Sequence, residues 1–222
     1  MPIYKTKNEN FFKNWSPEMA YVLGFFSADG CMMKNKRGAR FIEFQITDKD
    51  LLEKIRKLIN SNHKITPRRR NDRWKTFYRL QIGSKTIFKD LVKLGLTPRK
   101  SKTIKLPYVP DKYFSHFVRG YFDGDGNVCV TNYIRADRNN KKSTTILSGF
   151  TSGSKQILQS LHDKLKKIAN IFGGTFYYSG RGYRLYFSVK DRFKLYKFMY
   201  KKINNNLFLV RKKKKFERYF KI

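Results

Sequence analysis

The sequence predicts an α+β fold in which two pseudo-symmetric αββαββα halves meet at a central two-helix interface. The first observation is a repeated segment, because residues 22–30 and 118–126 share the pattern apolar-x-Gly-aromatic-Phe-x-small-Asp-Gly. The second is that strand-like and helical patterns follow each segment in the same order. The third is a set of smaller matches, such as Tyr78-Arg79-Leu80 and Tyr183-Arg184-Leu185. A tandem duplication explains all three.

Small residues lie four positions apart in each repeated segment. Gly24 is followed by Ala28, and Gly120 by Gly124. Positions i and i+4 share one helix face, so each helix would carry a stripe that lets two backbones approach closely. Glycine costs about 1 kcal/mol relative to alanine in a helix, so the stripe predicts a compensating contact. We therefore assign these four residues to the central interface, and expect left-handed glycine caps at the helix ends.

An aspartate closes each repeated segment. Asp29 and Asp125 would lie at helix C-termini, where the negative end of the helix dipole disfavours a carboxylate. Two such carboxylates side by side repel each other unless cations lie between them, so the pair indicates divalent metal ions. Two unrelated capped helices ending in Asp-Gly turns would explain one motif, but they do not explain the repeat.

The net charge of the chain restricts the classes of molecule that it is expected to bind. The 222 residues include 50 Lys+Arg against 16 Asp+Glu, a formal net charge of +34. This excess indicates a polyanionic partner, and nucleic acid is the main interpretation. An anionic membrane is the competing one, but the sequence has no long apolar span or signal peptide. With two cysteines and three histidines, the chain is expected to have neither a disulfide framework nor a zinc site. Cysteines that stay reduced fit an intracellular protein.

The predicted elements divide the chain into a first half at 1–95, a linker at 96–110 and a second half at 111–222. In the first half we expect helices at 16–28, 49–60 and 84–94, and strands at 31–35, 40–46, 64–70 and 74–82. In the second half we expect helices at 111–123, 154–172 and 191–203, and strands at 127–134, 144–151, 175–179 and 183–189. A polar loop is expected at 135–142, and the basic run at 211–215 ends the pattern.

Alternate residues of these strands point away from the predicted core, and many of them are basic or polar. Such a sheet face fits the major groove of DNA, where Arg, Lys, Gln and Asn read base edges. A merely solvated strand face explains any one residue but not the whole sheet. The candidates in the first half are Met33, Asn35, Arg37, Glu43, Gln45, Lys64, Thr66, Arg68, Arg70, Lys75, Phe77, Arg79 and Gln81. Those in the second half are Asn127, Thr131, Tyr133, Thr145, Thr151, Thr175, Tyr177, Ser179, Arg184, Tyr186 and Ser188.

The repeated segments resemble the two motifs of the LAGLIDADG homing endonuclease family in its single-chain form. By this resemblance the metal-binding set is Asp29 and Asp125 with Ala28 and Gly124. Basic residues that follow the third helix of each half often lie near the scissile phosphates, which implies catalytic roles for Lys100, Lys102 and Lys213. Ser27 departs from the pattern, because the family has Asp there and Asp123 holds that place in the second copy. Since this position is not a metal ligand, we expect activity to survive the change.

The resemblance also implies a function. It implies site-specific hydrolysis of both strands of a long, asymmetric double-stranded DNA target by a monomer with internal pseudo-twofold symmetry. Two or three Mg²⁺ ions would be shared by the aspartates, and Ca²⁺ would bind without supporting cleavage. The enzyme would be intron-encoded or free-standing. An AT-rich coding sequence points to a bacterial or phage-infected cytoplasm, or to an organelle.

Two other functions stay open at this level. One is a maturase that binds intron RNA, and the other is a non-enzymatic DNA-binding regulator. The retention of both aspartates favours the nuclease over each of them.

Overall fold

The structure, a computed structural model, describes residues 5–69, 71–180, 182–201, 203 and 205–222. The helices are α1 (Pro17–Asp29), α2 (Lys49–Leu58), α3 (Lys85–Lys93), α4 (Asp111–Asp125), α5 (Lys155–Ala169), α6 (Val189–Tyr200) and α7 (Val210–Phe220). The strands are β1 (Gly30–Lys34), β2 (Arg40–Ile46), β3 (Ile65–Arg68), β4 (Phe77–Gly83), β5 (Gly126–Arg135), β6 (Lys141–Ser152), β7 (Thr175–Ser179) and β8 (Gly182–Tyr186). None of the helices in these ranges is long and apolar enough to cross a membrane.

The strands form two four-stranded antiparallel sheets with the same topology. One has the order β1-β2-β4-β3 and the other the order β5-β6-β8-β7. Each sheet follows one motif helix, α1 or α4, and each half repeats the order helix, two strands, helix, two strands, helix. The predicted α+β fold of two pseudo-symmetric halves is confirmed.

The two motif helices pack directly against each other through their glycines. A Cβ on Gly24 would lie 2.1 Å from the carbonyl oxygen of Phe117, and one on Gly120 would lie 2.0 Å from that of Tyr21. Tyr21 and Phe117 occupy equivalent positions in the two motifs, so the contact is reciprocal. Only a residue without a side chain permits this approach, which explains why glycine is kept inside both helices despite its low helix propensity.

The glycine that follows each motif helix is needed for a different reason from the one predicted. Gly30 has φ −78° and Gly126 has φ −80°, so both are extended rather than left-handed. A Cβ would instead lie 2.3 Å from a ring carbon of Phe26 or Phe122, respectively. Crowding by the preceding aromatic ring, not handedness, excludes side chains here.

Equivalent aromatic contacts attach each motif helix to its sheet. The ring of Phe44 on β2 packs edge-on against Phe26 with centroids 5.1 Å apart. Phe150 on β6 packs in the same way against Phe122, at 5.5 Å. All four rings are fully buried. Burying such side chains contributes about 1.5–3 kcal/mol each, so these contacts fix each sheet relative to the central helices.

The largest departure from the predicted elements is the first hairpin of the second half. Residues 135–142 were expected to form a loop, but β5 and β6 pair as far as Arg135 and Lys141. Both faces are mostly exposed over this extension, so its side chains carry no apolar alternation from which a strand could be predicted. The predicted helices at 49–60 and 154–172 are also shorter in the structure.

We predict that Gly120→Ala destabilises the protein by about 1–3 kcal/mol or more, because the new methyl group enters the contact with Tyr21. The matched control is Gly83→Ala, where a Cβ would meet only the Phe41 ring, at an ordinary 3.4 Å. Chemical denaturation of both variants measures the difference. Equal unfolding free energies for the two variants would contradict the close helix contact.

Candidate active site and nucleic-acid interface

The structure brings the two motif aspartates together at the C-terminal ends of α1 and α4. A Cβ built on Gly124 would lie 2.4 Å from the Cβ of Ala28 and 3.3 Å from Oδ2 of Asp29. The Asp29 carboxylate therefore lies across the end of the other motif helix, in space that a larger residue at position 124 would fill. Asp29 is exposed and Asp125 half-buried, so both can be reached from outside.

The surroundings of the two carboxylates make both of them harder to ionise than usual. Desolvation by the surrounding protein, together with repulsion from Asp29, raises the pKa of Asp125 to about 7. Desolvation also raises the pKa of Asp29, and Lys212 and Lys100 oppose that shift. Two hard carboxylate ligands that are both easier to protonate than usual would be stabilised by a bound cation. The donor chemistry and the electrostatics therefore fit divalent metal ions.

Each aspartate lines its own cleft. Asp29 and Gly124 line a cleft of 640 Å³ whose other walls include Gln45, Lys75 and Arg211. A second cleft, of 240 Å³, is lined by Asp125, Ala28, Ser101, Thr151 and Gly182. The clefts lie at equivalent places in the two halves, between a motif helix end and the edge of a sheet. The arrangement thus provides two separate approaches to one acidic centre.

Two buried lysines lie beside the aspartates, one from the connection between the halves and one from the second half. Lys100 is 6% exposed and donates from Nζ to the Gly30 carbonyl at 2.6 Å. Lys212 is 7% exposed and donates to the Gly126 carbonyl at 2.7 Å, which is the equivalent contact. Desolvation lowers the pKa of Lys212 to about 8 and also lowers that of Lys100, while both aspartates raise the pKa of each lysine.

Lys212, rather than Lys213, occupies this place in the second half. Lys213 is half-buried, pairs with Glu217 and lies over the Phe208 ring, 5.4 Å from its centroid. Lys102 is exposed, next to the second cleft. The sequence held a signal for Lys212, because Arg99-Lys100 recurs as Arg211-Lys212. The run of lysines at 212–215 obscured the alignment.

Asp123 and Ser27 are equivalent in the two motifs but have different contacts. Asp123 is fully buried, and its Oδ2 accepts hydrogen bonds from the Tyr21 hydroxyl at 2.6 Å and from the Leu209 amide at 3.0 Å. Ser27 only donates to the Leu23 carbonyl of its own helix, at 2.8 Å. The acid in the second motif thus holds the chain segment that leads to Lys212, whereas the Ser27 hydroxyl bonds within its own helix.

The described residues from 205 to 212 form a strap that crosses both halves. The fully buried Arg119 of α4 donates to the Leu207 and Met199 carbonyls, each at 2.9 Å. From the first half, Lys54 donates to the Asn206 carbonyl at 2.8 Å, and Asp48 accepts from Arg211 at 3.0 Å. These contacts position Lys212, which lies where the strap enters α7.

The outer face of the first sheet carries a connected polar network. Glu43 is 4% exposed, and Oε2 accepts from Gln81 at 3.1 Å and pairs with Arg79 at 3.5 Å. Oε1 accepts from Gln45. Register places Met33, Thr66, Arg68 and Phe77 on the same face. Glu43 therefore orients three side chains capable of reading bases.

The outer face of the second sheet is chemically different. Register places the predicted Asn127, Thr131, Tyr133, Thr145, Thr151, Thr175, Tyr177, Ser179, Arg184 and Tyr186 there. It also places Cys129 and Leu147 there, which sequence reasoning missed because neither is polar. Tyr177 and Tyr186 stack, with centroids 6.0 Å apart. Of the network in the first sheet, only the arginine has an equivalent, Arg184.

Several predicted DNA-facing residues lie outside the strands because the strands end earlier than expected. Ser188 is a correction, since it caps α6 and accepts from the Asp191 amide. Asn35 and Arg37 lie in the turn after β1, where Asn35 accepts from the Ala39 amide at 2.8 Å. Lys64 precedes β3 and Lys75 precedes β4. Arg70 lies outside the described residues.

Residues 16–94 match the family model of the LAGLIDADG-like domain. This part of the chain is a LAGLIDADG-like domain. The match includes the first repeated segment, residues 22–30, and the pseudo-symmetric structure relates the second segment, residues 118–126, to it. A protein of Methanocaldococcus jannaschii named Uncharacterized protein MJ0398 is 26% identical over 191 residues. The match covers 79% of this chain and 63% of that protein, so the chain spans less than two thirds of its relative's length.

Solved LAGLIDADG structures share the fold of this chain over most of its length. The LAGLIDADG meganuclease I-AabMI, bound to uncleaved DNA, has a TM-score of 0.61 at 14% identity, covering 90% of this chain and 87% of that one. The I-LtrWI LAGLIDADG homing endonuclease, bound to target DNA, has a TM-score of 0.61 at 15% identity, covering 96% and 89%. At these identities the likeness establishes the fold.

We predict that Asp123→Ala lowers the unfolding free energy by about 2–4 kcal/mol, since the Tyr21 hydroxyl and the Leu209 amide would both lose a buried acceptor. The control is Ser27→Ala, for which we expect a loss of about 1 kcal/mol or less. Urea denaturation compares the two. A larger loss for the serine variant would show that Asp123 does not anchor the strap.

Proposed function

We propose that this protein is a site-specific endonuclease that hydrolyses both strands of a double-stranded DNA target with divalent metal ions. The observation that carries the proposal is the pair Asp29 and Asp125 at the C-terminal ends of the central helices, with the buried Lys100 and Lys212 beside it. The formal charge of +34 and two polar sheet faces support duplex DNA as the substrate.

Asp29 and Asp125 are the residues that would hold the metal ions, together with backbone at Ala28 and Gly124. Among the described residues, no cluster of three or more His, Cys, Asp or Glu side chains could hold a metal ion. The remaining ligands would therefore be backbone oxygens, water and the phosphates of the DNA. When bound, such ions would neutralise the scissile phosphate and acidify the attacking water. Mg²⁺ suits these oxygen ligands, and Ca²⁺ would occupy the site without supporting cleavage.

The residues of the chain have three tasks in this reaction. The two sheets bind and orient the duplex, the central helices set the spacing of the aspartates, and the lysines add positive charge beside the phosphates. The Lys212 ammonium group is fixed because it donates to the Phe122 and Asp123 carbonyls at 2.7 and 2.8 Å as well as to Gly126. A fixed charge needs no reorganisation as negative charge develops, which is how preorganised groups lower barriers.

Pseudo-twofold symmetry within one chain suits cutting by a monomer. Each aspartate lines one cleft, so each strand of the duplex would enter from its own side. The two outer faces differ in side chains, so the target would be asymmetric. Both aspartates are present and reachable, which favours a nuclease over a regulator or maturase that only binds nucleic acid.

We predict that Asp29→Asn and Asp125→Asn abolish cleavage but keep DNA binding. Each substitution removes an ionised metal ligand of similar size, while affinity comes mainly from basic contacts elsewhere. Binding without added metal should persist or tighten, because a carboxylate near a phosphate repels it. The measurements are gel shifts in Ca²⁺ and cleavage in Mg²⁺ on one selected target.

Each single variant should impair both strands, since the two carboxylates share one centre. The matched control is Asp163→Asn, an exposed acid on α5 that pairs only with Lys166. Wild-type cutting by either motif variant would remove that aspartate from the site and leave the proposed chemistry without support.

We also predict that Lys212→Met lowers the cleavage rate by about 100-fold with little change in binding, because it removes one fixed charge beside the reacting phosphate. Lys213→Met, whose side chain pairs with Glu217 instead, should cut at close to the wild-type rate. Single-turnover cleavage of a selected target distinguishes the two. If Lys213→Met cuts more slowly than Lys212→Met, the catalytic role belongs to Lys213, as the family resemblance implied.

A further inference from the structure

The β5–β6 hairpin is twice as long as its counterpart in the first half. Its pairing runs over ten residue pairs, from Gly126 with Phe150 to Arg135 with Lys141. The β1–β2 pairing covers five, from Gly30 with Phe44 to Lys34 with Arg40. Five more residues per strand add roughly 17 Å of ribbon. DNA rises about 3.4 Å per base pair, so this length corresponds to about five base pairs.

The middle of this ribbon carries methyl groups and no charge on its outer face. Two cross-strand pairs, Cys129 with Leu147 and Thr131 with Thr145, lie next to each other there. We call these four residues the ribbon patch. Leu147 is 43% exposed, and Cys129 and Thr131 are exposed too. In the major groove, apolar side chains and threonine methyls contact the methyl group of thymine.

In the first sheet, Met33 and Phe41 are equivalent to Cys129 and Leu147, and the pair of Thr131 with Thr145 has no counterpart. Two positions further along β2, towards the motif helix, the outer face of the first sheet is built for hydrogen bonding. Glu43 holds Arg79, Gln45 and Gln81 in one network, and Arg and Gln recognise guanine and adenine through paired hydrogen bonds. In the second sheet Gly149 stands in place of Glu43, so the arrangement is not repeated. A Cβ at Gly149 would lie 2.1 Å from the Leu185 carbonyl oxygen, so no side chain fits there.

Cations of α7 lie along the β5 edge of the ribbon. Helix α7 packs along β5, with Lys215 donating to the Val128 carbonyl at 3.1 Å. A groove of 510 Å³ between them is lined by Cys129, Lys215, Arg218 and Lys221. These charges fit phosphate contacts that hold the duplex against the ribbon.

We propose that the β5–β6 ribbon lengthens the half-site of the second half by about five base pairs and recognises thymine methyl groups at and next to this extension, whereas the first sheet reads its half-site mainly by hydrogen bonds to purines. The inference rests on the proposed function and names the chemistry of its target. It assigns specificity to Leu147 and Cys129 on one side, and to Arg79 with its neighbours on the other.

The first step of the test is selection of bound duplexes from a randomised library, with Ca²⁺ in place of Mg²⁺. We expect one asymmetric target, with thymines in the longer half-site and guanine or adenine in the shorter one. If no sequence is enriched, the proposed function fails and this inference fails with it. If a target is enriched and cut in Mg²⁺ but its longer half-site requires no thymine, the inference alone is overturned.

The second step removes single groups from the selected target. Replacing a required thymine with uracil deletes only the methyl group, and should weaken binding about fourfold per site in the longer half-site. Replacing a required guanine with 7-deazaguanine deletes one acceptor, and should weaken binding about tenfold in the shorter half-site. Uracil should have a smaller effect in the shorter half-site, because the first sheet has no counterpart of the Thr131–Thr145 pair. Equal uracil effects in both half-sites, or none, would overturn the assignment.

The third step pairs these targets with two exposed ribbon variants. Leu147→Ala should abolish the difference in binding affinity between targets that carry thymine and targets that carry uracil at one position. Ile134→Ala is the control, because Ile134 is 63% exposed and register places it on the opposite face of the same ribbon. Circular dichroism checks that both variants fold. Retained thymine preference in Leu147→Ala, or its loss in Ile134→Ala, would show that the ribbon patch does not read the methyl group.

Discussion

Direct contact between the backbones of α1 and α4 is the constraint on which the rest of the structure depends. Gly24 lies against the Phe117 carbonyl and Gly120 against the Tyr21 carbonyl, so neither position accepts a side chain. The same closeness brings Asp29 across Gly124, and the helices carry a sheet each through Phe44 and Phe150. The distance between helices thus sets both the acidic centre and the separation of the two outer faces.

At the acidic centre, the contacts of the two buried lysines obey the pseudo-symmetry, but the chain segments that supply the two lysines do not. Lys100 and Lys212 donate to equivalent glycine carbonyls and lie over equivalent rings, Phe26 and Phe122, at 5.7 and 5.3 Å. Lys100 comes from the connection between the halves, whereas Lys212 comes from the strap. The Asp123 carboxylate accepts a hydrogen bond from the Leu209 amide of that strap. Because the strap contacts Asp123, the equivalent position in the first motif can be Ser27.

Much of this architecture could be predicted from the sequence, because the residues that define it recur at short, regular spacings along the chain. The glycine spacing predicted the helix pair, the repeat predicted the two sheets, and strand parity placed Glu43, Arg79 and Thr145 on outer faces. The rest depends on long-range contacts. Leu147 was not predicted on the outer face because it is apolar, and Ser188 was expected in a strand. The run of four lysines obscured the alignment of Lys212 with Lys100.

The position of the strap has a consequence for the order in which the protein matures. Every strand of both sheets precedes residue 205 in the chain, and Lys212 follows them all. During synthesis the residues of both outer faces and both aspartates therefore leave the ribosome before the second lysine does. Leu207, Leu209 and Phe216 leave late as well, and they belong to the buried core of the second half. The last part of the chain to be made thus completes the core and the charge arrangement in one step, when the strap closes over Arg119.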